Sequence, residues 1–169
     1  VYTSQGTLDA LEMMHILTGK YSAKVIPENG VEACGMFVSA FHTSHDSREG
    51  VGYTVTLPDG RRIAVATDTG VVTDDTMQAL TGCDLVMIES NHDVMMLQNG
   101  PYPYYTKRRV LSPVGHLSND ACAVTAATLL QNGTTRFVLG HLSRQNNIPQ
   151  LAYQTTYAAF CEAGAREKT

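Results

Sequence analysis

Four short clusters of polar residues each combine a histidine with small hydrogen-bonding side chains. They are Ser44-His45-Asp46-Ser47, Glu89-Ser90-Asn91-His92-Asp93, Gly115-His116-Leu117-Ser118-Asn119 and Gly140-His141-Leu142-Ser143. Imidazole and carboxylate groups bind divalent metal ions when rigid elements hold them close together. A lone loop histidine is most often a surface or hydrogen-bonded residue, whereas four such clusters in one chain favour a functional site. The other two histidines, His15 and His42, are interpreted as structural.

A further candidate ligand, Asp68, stands in Thr67-Asp68-Thr69-Gly70 directly after an apolar run. The end of a strand holds such a side chain rigidly and leaves it open to a ligand. A carboxylate has two oxygen atoms, so Asp68 is suited to bridge two ions, as two-metal hydrolases require. The alternative interpretation is that Asp68 only caps a turn.

His116 precedes a predicted helix that begins near Ser118 and Asn119. The first N–H groups of a helix have no partner within it, so we expect them to be free to hold an oxyanion. His116 would then donate a proton to a leaving group, and Glu89 would orient its ring.

A basic and aromatic stretch, Lys107-Arg108-Arg109 next to Tyr102, Tyr104 and Tyr105, allows two interpretations. Mixed basic and aromatic side chains bind the phosphates and bases of nucleic acids. A solvated helix face has the same composition, and the sequence favours that second interpretation.

The composition limits the class of protein. The chain has 169 residues, of which 43% are hydrophobic and 17% charged, and its net charge is −4. This length predicts one globular domain over 1–169, and the acidic balance argues against general binding to nucleic acids or membranes. No stretch is long and apolar enough to cross a membrane. The four cysteines are far apart and lie in apolar runs, which favours reduced thiols in the cytoplasm.

Periodicity and turn residues predict the elements that would carry these clusters. Apolar residues at helical spacing, alternating β-rich runs and a Pro58-Asp59-Gly60 turn predict a mixed α/β (α+β) fold with its polar clusters at strand ends. The predicted helices cover 7–18, 74–81, 119–131 and 150–163, and the predicted strands cover 35–43, 51–57, 61–67, 85–88 and 137–139.

The same motifs, in this order, resemble the YycJ/WalJ type of metallo-β-lactamase-fold hydrolase. The resemblance runs over about residues 1–160 and rests on these segments: Ser44-His45-Asp46, Gly52-Tyr53, Ala66-Thr67-Asp68-Thr69-Gly70, Glu89-Ser90-Asn91-His92-Asp93, Gly115-His116-Leu117-Ser118-Asn119, His141-Leu142-Ser143 and Asn146-Asn147-x-Pro149.

The resemblance implies an αββα sandwich with two divalent metal ions, zinc or manganese, that hydrolyses phosphodiesters and acts on DNA as an exonuclease. His45, Asp68 and His141 would be metal ligands, with Asp68 bridging and also acting in catalysis. His116 would be the catalytic histidine beside the scissile phosphate, supported by Glu89. A second set, expected near the substrate, consists of His92, Asn91, Ser118 and Asn119.

The family that this sequence resembles has a His-x-His-x-Asp-His loop, which supplies most ligands to both ions. This loop has no counterpart in the present sequence. We expect it just upstream of Val1, and the final strands of the family after Thr169, so that this chain covers mainly the second half of the domain. Three ligands cannot close two coordination spheres, because zinc takes about four donors. We therefore expect partial or no metal occupancy in this chain, and an open sheet edge and apolar face that would permit a homodimer.

Two rival functions remain open. The first is hydrolysis of a small cyclic phosphodiester or a lactone at the same metal site. The second, from another class, is an inactive scaffold or binding module without bound metal.

Overall fold

A computed structural model describes residues 1–17 and 19–165. In chain order the elements are β1 (Tyr2–Thr3), α1 (Gln5–Met13), β2 (Lys24–Val25), β3 (Val31–Ala33), β4 (Met36–His42), β5 (Val51–Thr56), β6 (Arg62–Ala66), α2 (Asp74–Leu80), β7 (Leu85–Glu89), α3 (Val94–Asn99), α4 (Tyr104–Val110), α5 (Asn119–Gln131), β8 (Arg136–Gly140) and α6 (Pro149–Glu162).

Six strands form one mixed sheet in the order β3-β4-β5-β6-β7-β8, and β1 and β2 form a separate parallel pair. The pairs from β3 to β6 are antiparallel, and the pairs β6-β7 and β7-β8 are parallel. Two successive antiparallel pairings make β4 run in the same direction as β6, β7 and β8. The carboxyl ends of these four strands therefore meet at one edge of the sheet.

The hydrophobic core lies between one face of this sheet and the helices α2 and α5. Every second residue of β6 and β7 points into it, and these residues are fully buried: Ala64, Ala66, Val86 and Ile88. Leu80 of α2 and Cys122 and Leu129 of α5 pack against them. α6 continues this layer, where the rings of Phe137 and Phe160 lie 5.0 Å apart. The alternation of buried and less buried residues is the pattern of a sheet covered on one face.

Side-chain caps define where the helices begin. The hydroxyl of Ser118 accepts the N–H of Ala121 at the start of α5, and the hydroxyl of Thr73 accepts the N–H of Thr76 at the start of α2. Such caps satisfy one of the unpaired N–H groups of the first turn and each contribute about 1 kcal/mol.

The longer predicted elements are confirmed with boundaries that shift by one or two residues. The predicted helix over 7–18 is an exception: the observed helix starts at Gln5 and ends at Met13, and Thr18 lies outside the described residues. The opening residues Val1-Tyr2-Thr3 are typical of a strand and contain β1, whereas the strands β2 and β3 and the helix α3 were not predicted, because two to six residues carry too little periodicity.

β8 is an edge strand, since within residues 1–17 and 19–165 only β7 pairs with it. Homodimer formation through an open edge stays a prediction. None of the described helices has the length and apolarity needed to cross a membrane.

Candidate active site

Four of the predicted site residues come from the carboxyl ends of the four co-directional strands. His45 follows β4, Asp68 follows β6, Glu89 ends β7, and His141 follows β8. His116 joins them from the loop that leads into α5. Residues separated by up to 96 positions in the chain are thereby collected at one edge of the sheet.

The three histidines surround one oxygen atom of Asp68. Its Oδ1 lies 3.5 Å from His141 Nε2, 3.8 Å from His45 Nε2 and 3.9 Å from His116 Nδ1. The rings of His45 and His141 each lie about 5 Å from the ring of His116, with centroid distances of 5.1 and 5.2 Å. Two groups of potential ligand atoms result, one made of His45, Asp68 and His116 and the other of Glu89, His116 and His141.

Glu89 lies beneath these residues and is fully buried. Its Oε1 is 2.8 Å from His116 Nδ1 and 2.7 Å from His141 Nδ1, and its Oε2 accepts the N–H of Thr69 at 2.8 Å. An ionised carboxylate can only accept, so both imidazoles donate their Nδ1–H to Glu89. The Nε2 atoms of His116 and His141 are therefore the ones left for a metal ion or a substrate.

These contacts shift the pKa values of both partners. Burial alone raises the pKa of the Glu89 carboxyl, but the hydrogen bonds from His116 and His141 outweigh it, so the pKa lies below its ordinary value. The hydrogen bond to Glu89 raises the pKa of His116 above its ordinary value, against the opposing effect of burial. Glu89 is thus ionised, and His116 holds its proton more tightly than a free imidazole.

His45 provides an observation that bears on metal binding. Its Nε2 is buried and has no hydrogen-bond partner among the described residues. Its Nδ1 accepts the N–H of Ser47 at 3.1 Å, and the Oδ1 of Asp46 lies 3.6 Å from the same atom. Because Nδ1 accepts this hydrogen bond, coordination through Nε2 would require Nδ1 to give up the Ser47 contact and carry the proton, with the Asp46 carboxylate as the neighbouring acceptor. An orphaned imidazole nitrogen that faces a carboxylate fits a bound cation, and the imidazole and carboxylate donors suit zinc or manganese.

The loops that carry His45, Asp68 and His116 brace one another. The hydroxyl of Ser44 donates to the carbonyl of Pro113 at 2.8 Å, and the N–H of Gly70 donates to the carbonyl of Ser44 at 2.7 Å. A methyl group on Gly70 would overlap the Pro113 carbonyl, so only glycine allows this approach. The three loops are consequently held in fixed relative positions.

An ion pair closes the same region at the surface. The guanidinium of Arg109 binds Asp46 with both ends, Nε to Oδ2 at 2.5 Å and Nη2 to Oδ1 at 2.6 Å. The hydrogen bonds from Arg109 hold the pKa of the Asp46 carboxyl below its ordinary value. This contact between the residue after His45 and the helix α4 was not anticipated from the sequence, since 63 positions separate the two partners.

The backbone at two of the predicted ligands is left-handed. The φ angle is 55° at both Asp68 and His141. This conformation costs an ordinary L-residue roughly 1–2 kcal/mol, and Asp and His are among the residues that tolerate it best. It turns the chain sharply after β6 and after β8.

The four residues expected near the substrate lie mostly behind the site. Their exposed fractions are 8% for Asn91, 1% for His92 and 1% for Asn119. The amide of Asn91 donates to the carbonyl of His141 at 2.9 Å, and burial lowers the pKa of His92. Buried side chains have little surface to offer a substrate, so this geometry gives them a supporting role.

The sequence predicted that the first N–H groups of α5 are free to hold an oxyanion, and this was wrong for two of them. The N–H of Asn119 donates to the carbonyl of His92 at 2.8 Å, and the N–H of Ala121 is taken by the hydroxyl of Ser118. These groups are not free, because the segment around His92 runs beside Ser118 and pairs with it.

Comparison with known proteins identifies a matching family model and a related protein. Residues 1–142 match the family model described as the beta-lactamase superfamily domain. The chain is 39% identical over 127 residues to "Exodeoxyribonuclease YycJ" from Bacillus anthracis, a match that covers 75% of this chain and 48% of that protein. The chain thus spans about half the length of this curated relative.

Solved structures show the same fold. The metallo-beta-lactamase fold protein YhfI from Bacillus subtilis superposes with a TM-score of 0.69 at 15% identity, over 95% of this chain and 58% of that one. Zn(2+)-bound PqqB from Methylobacterium extorquens superposes with a TM-score of 0.70 at 17% identity, over 94% and 60%. The fold class expected from the sequence is therefore confirmed.

Proposed function

The chain belongs to the beta-lactamase superfamily domain family, and on that premise we propose that the full-length product of its gene is a metal-dependent phosphodiesterase that acts as an exonuclease on DNA. The observation that carries this proposal is the convergence of His45, His116 and His141 on one oxygen of Asp68. No structural requirement of the fold explains why three imidazoles should surround a carboxylate that is half exposed.

In this proposal His45, Asp68 and His141 would hold the divalent ions, with both oxygen atoms of the Asp68 carboxylate available as donors. Such ions supply a water of lowered pKa and stabilise the negative charge that develops on a phosphate. The chain's own contribution is orientation, since Glu89 fixes His141 by accepting its Nδ1–H at 2.7 Å. The left-handed backbone at Asp68 and His141 directs both side chains toward the same point.

His116 is the proton donor of the proposal. Its Nδ1–H is held by Glu89, and this hydrogen bond raises the pKa of His116 above its ordinary value, which favours the ring form that carries a second proton on Nε2. A group of this kind can deliver a proton to the leaving oxygen of a phosphodiester. The leaving oxygen of a lactone needs a proton as well, so the preference for phosphate over lactone substrates is supported by the name of the Bacillus anthracis relative.

The DNA substrate is supported by the name of the Bacillus anthracis relative. The choice between zinc and manganese is part of the proposal as well, with zinc supported by the zinc-bound structural neighbour. The proposal assigns the protein to the cytoplasm, in agreement with four cysteines that are all free thiols.

The test compares the wild-type full-length protein with Asp68→Ala and His116→Ala. We expect Asp68→Ala to lose both bound metal and hydrolysis of linear DNA. His116→Ala should keep its metal, measured by elemental analysis, while turnover falls by about 10²–10⁴-fold. DNA hydrolysis and metal content that both survive Asp68→Ala would refute the proposal.

The two rivals give different results in the same preparation. Linear DNA, a cyclic phosphodiester and a lactone, assayed side by side with manganese and with zinc, separate the substrate classes. Purified protein without bound metal and without turnover would indicate the binding module instead.

A further inference from the structure

The helix α4, whose Arg109 binds Asp46 next to His45, exposes two aromatic rings to solvent. Tyr104 and Tyr105 are 76% and 75% exposed, which makes them the most exposed large hydrophobic side chains of residues 1–17 and 19–165. Aromatic rings normally gain free energy from burial, and adjacent rings left in solvent offer flat surfaces to a ligand.

Positive charge accompanies these rings. Lys107, Arg108 and Arg109 form the last turn of α4. Arg109 is committed to Asp46, but neither Lys107 nor Arg108 forms an ion pair with any described residue. The guanidinium of Arg108 lies 6.0 Å from the centre of the Tyr104 ring, within the range of a cation–π contact. The ammonium of Lys107 donates to the carbonyl of Gln98 at 2.7 Å, but no carboxylate among the described residues neutralises either charge, so both cations attract anions locally in a chain with a net charge of −4.

The position of α4 connects this surface to the site. Arg109 binds the residue next to His45, and the carbonyl of Val110 accepts the N–H of His116 at 3.0 Å. Tyr105 and Arg109 are four residues apart and therefore lie on the same face of the helix, about 6 Å apart along its axis. A nucleic-acid strand bound along this helix face would contact Tyr105 and the surroundings of the Arg109–Asp46 pair.

We propose that α4 is a docking surface for single-stranded nucleic acid on its way to the active site. Tyr104 and Tyr105 stack with bases, and Lys107 and Arg108 contact the phosphates. Stacking on tyrosine does not depend on base identity, as a nuclease that degrades any sequence requires. This inference rests on the proposed function and adds the form of the substrate, a single-stranded end.

The solvated-helix interpretation predicts something different. A helix face that serves only solubility does not need tyrosines, and replacing them would leave affinity for nucleic acid unchanged. Binding and hydrolysis can therefore be measured separately.

The experiment measures binding of a fluorescein-labelled twelve-nucleotide oligo-dT to the full-length protein by anisotropy, in EDTA so that no hydrolysis occurs. We expect Tyr105→Ala and Tyr104→Ala each to raise Kd by about five-fold or more, since one base stacked on an aromatic ring contributes about that much. Tyr105→Phe should stay near the wild-type value, because the ring is retained. The matched control is Tyr153→Ala, which removes a tyrosine of α6 that is 61% exposed and should leave Kd unchanged.

The proposed phosphate contacts are tested by the salt dependence of Kd. Arg108→Ala should lower the slope of log Kd against log salt concentration by about 0.7, the value for one phosphate of a single strand. Arg61→Ala is the control, since Arg61 lies in the β5–β6 turn, at the opposite end of β6 from Asp68.

An unchanged Kd in both Tyr104→Ala and Tyr105→Ala, or an equal loss of affinity in Tyr153→Ala, would overturn the docking surface. A blunt duplex of the same length that binds more tightly than the single strand would also overturn it. Failure of the proposed function is distinguishable, because it appears as wild-type protein that hydrolyses no phosphodiester, whatever the anisotropy shows.

Discussion

Glu89→Gln tests whether the buried carboxylate fixes the form of both imidazoles that it contacts. In the wild type, its two oxygen atoms accept three N–H groups, from Thr69, His116 and His141. Glutamine has one oxygen atom and one NH₂ group of nearly the same size, so it cannot accept on both sides. The substitution therefore removes acceptors without opening a cavity.

Two arrangements are available to the glutamine. If its oxygen faces the histidines, its NH₂ group meets the N–H of Thr69, and two buried donors are left unpaired. Each unpaired donor lowers the free energy of unfolding by about 1–3 kcal/mol. If its oxygen faces Thr69, both histidines must accept at Nδ1 and carry their proton on Nε2, which blocks the atom expected to bind metal. Loss of such a supporting contact lowers metal affinity by about 10–100-fold.

Two measurements on the protein distinguish the arrangements. Urea unfolding in EDTA, followed by circular dichroism, gives the free energy of unfolding, and competition with a chromophoric chelator gives the Kd for zinc. The control is Glu162→Gln, which changes an exposed carboxylate of α6 and should alter the stability by less than about 0.5 kcal/mol. Wild-type values for both stability and zinc affinity in Glu89→Gln would refute the assignment of Glu89 as the common acceptor.

Two further predictions concern packing and thiol chemistry. Gly70→Ala should lower the free energy of unfolding by about 1–3 kcal/mol in urea titrations, because its methyl group would overlap the carbonyl of Pro113; unchanged stability would mean that the loops are not braced there. Burial raises the pKa of the Cys122 thiol to about 12, so iodoacetamide at pH 8.5 should modify the exposed Cys34 and Cys161 and leave Cys122 unmodified. Peptide mass spectrometry gives the extent of labelling, and equal rates at the three cysteines would contradict this.

Local signals explain which elements could be predicted. The helix predicted over 119–131 is observed as Asn119–Gln131. It could be predicted because its Ser118 cap and its apolar face both depend on residues that are close together in the sequence. The strands on either side of the Pro58-Asp59-Gly60 turn were found for the same reason. The pairing of β1 with β2 was not predictable, since it joins two dipeptides 22 residues apart in the chain.

In the candidate site, too, some features could be predicted from local sequence and others could not. The residue types near strand ends identified Asp68 and the histidines around it, and Glu89 was correctly expected beside His116. That Glu89 also binds His141, and that Arg109 binds Asp46, depends on the order and direction of strands in the sheet, which no local pattern contains. The error at the start of α5 has this origin too, because the partner of its first N–H comes from a different segment.

The left-handed backbone at Asp68 and His141 also bears on how descendants of this sequence would diverge. Glycine adopts this conformation without steric cost, and asparagine tolerates it. In a gene copy released from selection for activity, substitution by glycine relieves strain and substitution by asparagine adds none, so folding opposes neither. Aspartate and histidine retained at these two positions would then mark lineages in which the site is still used, and glycine or asparagine would mark lineages that keep only the scaffold.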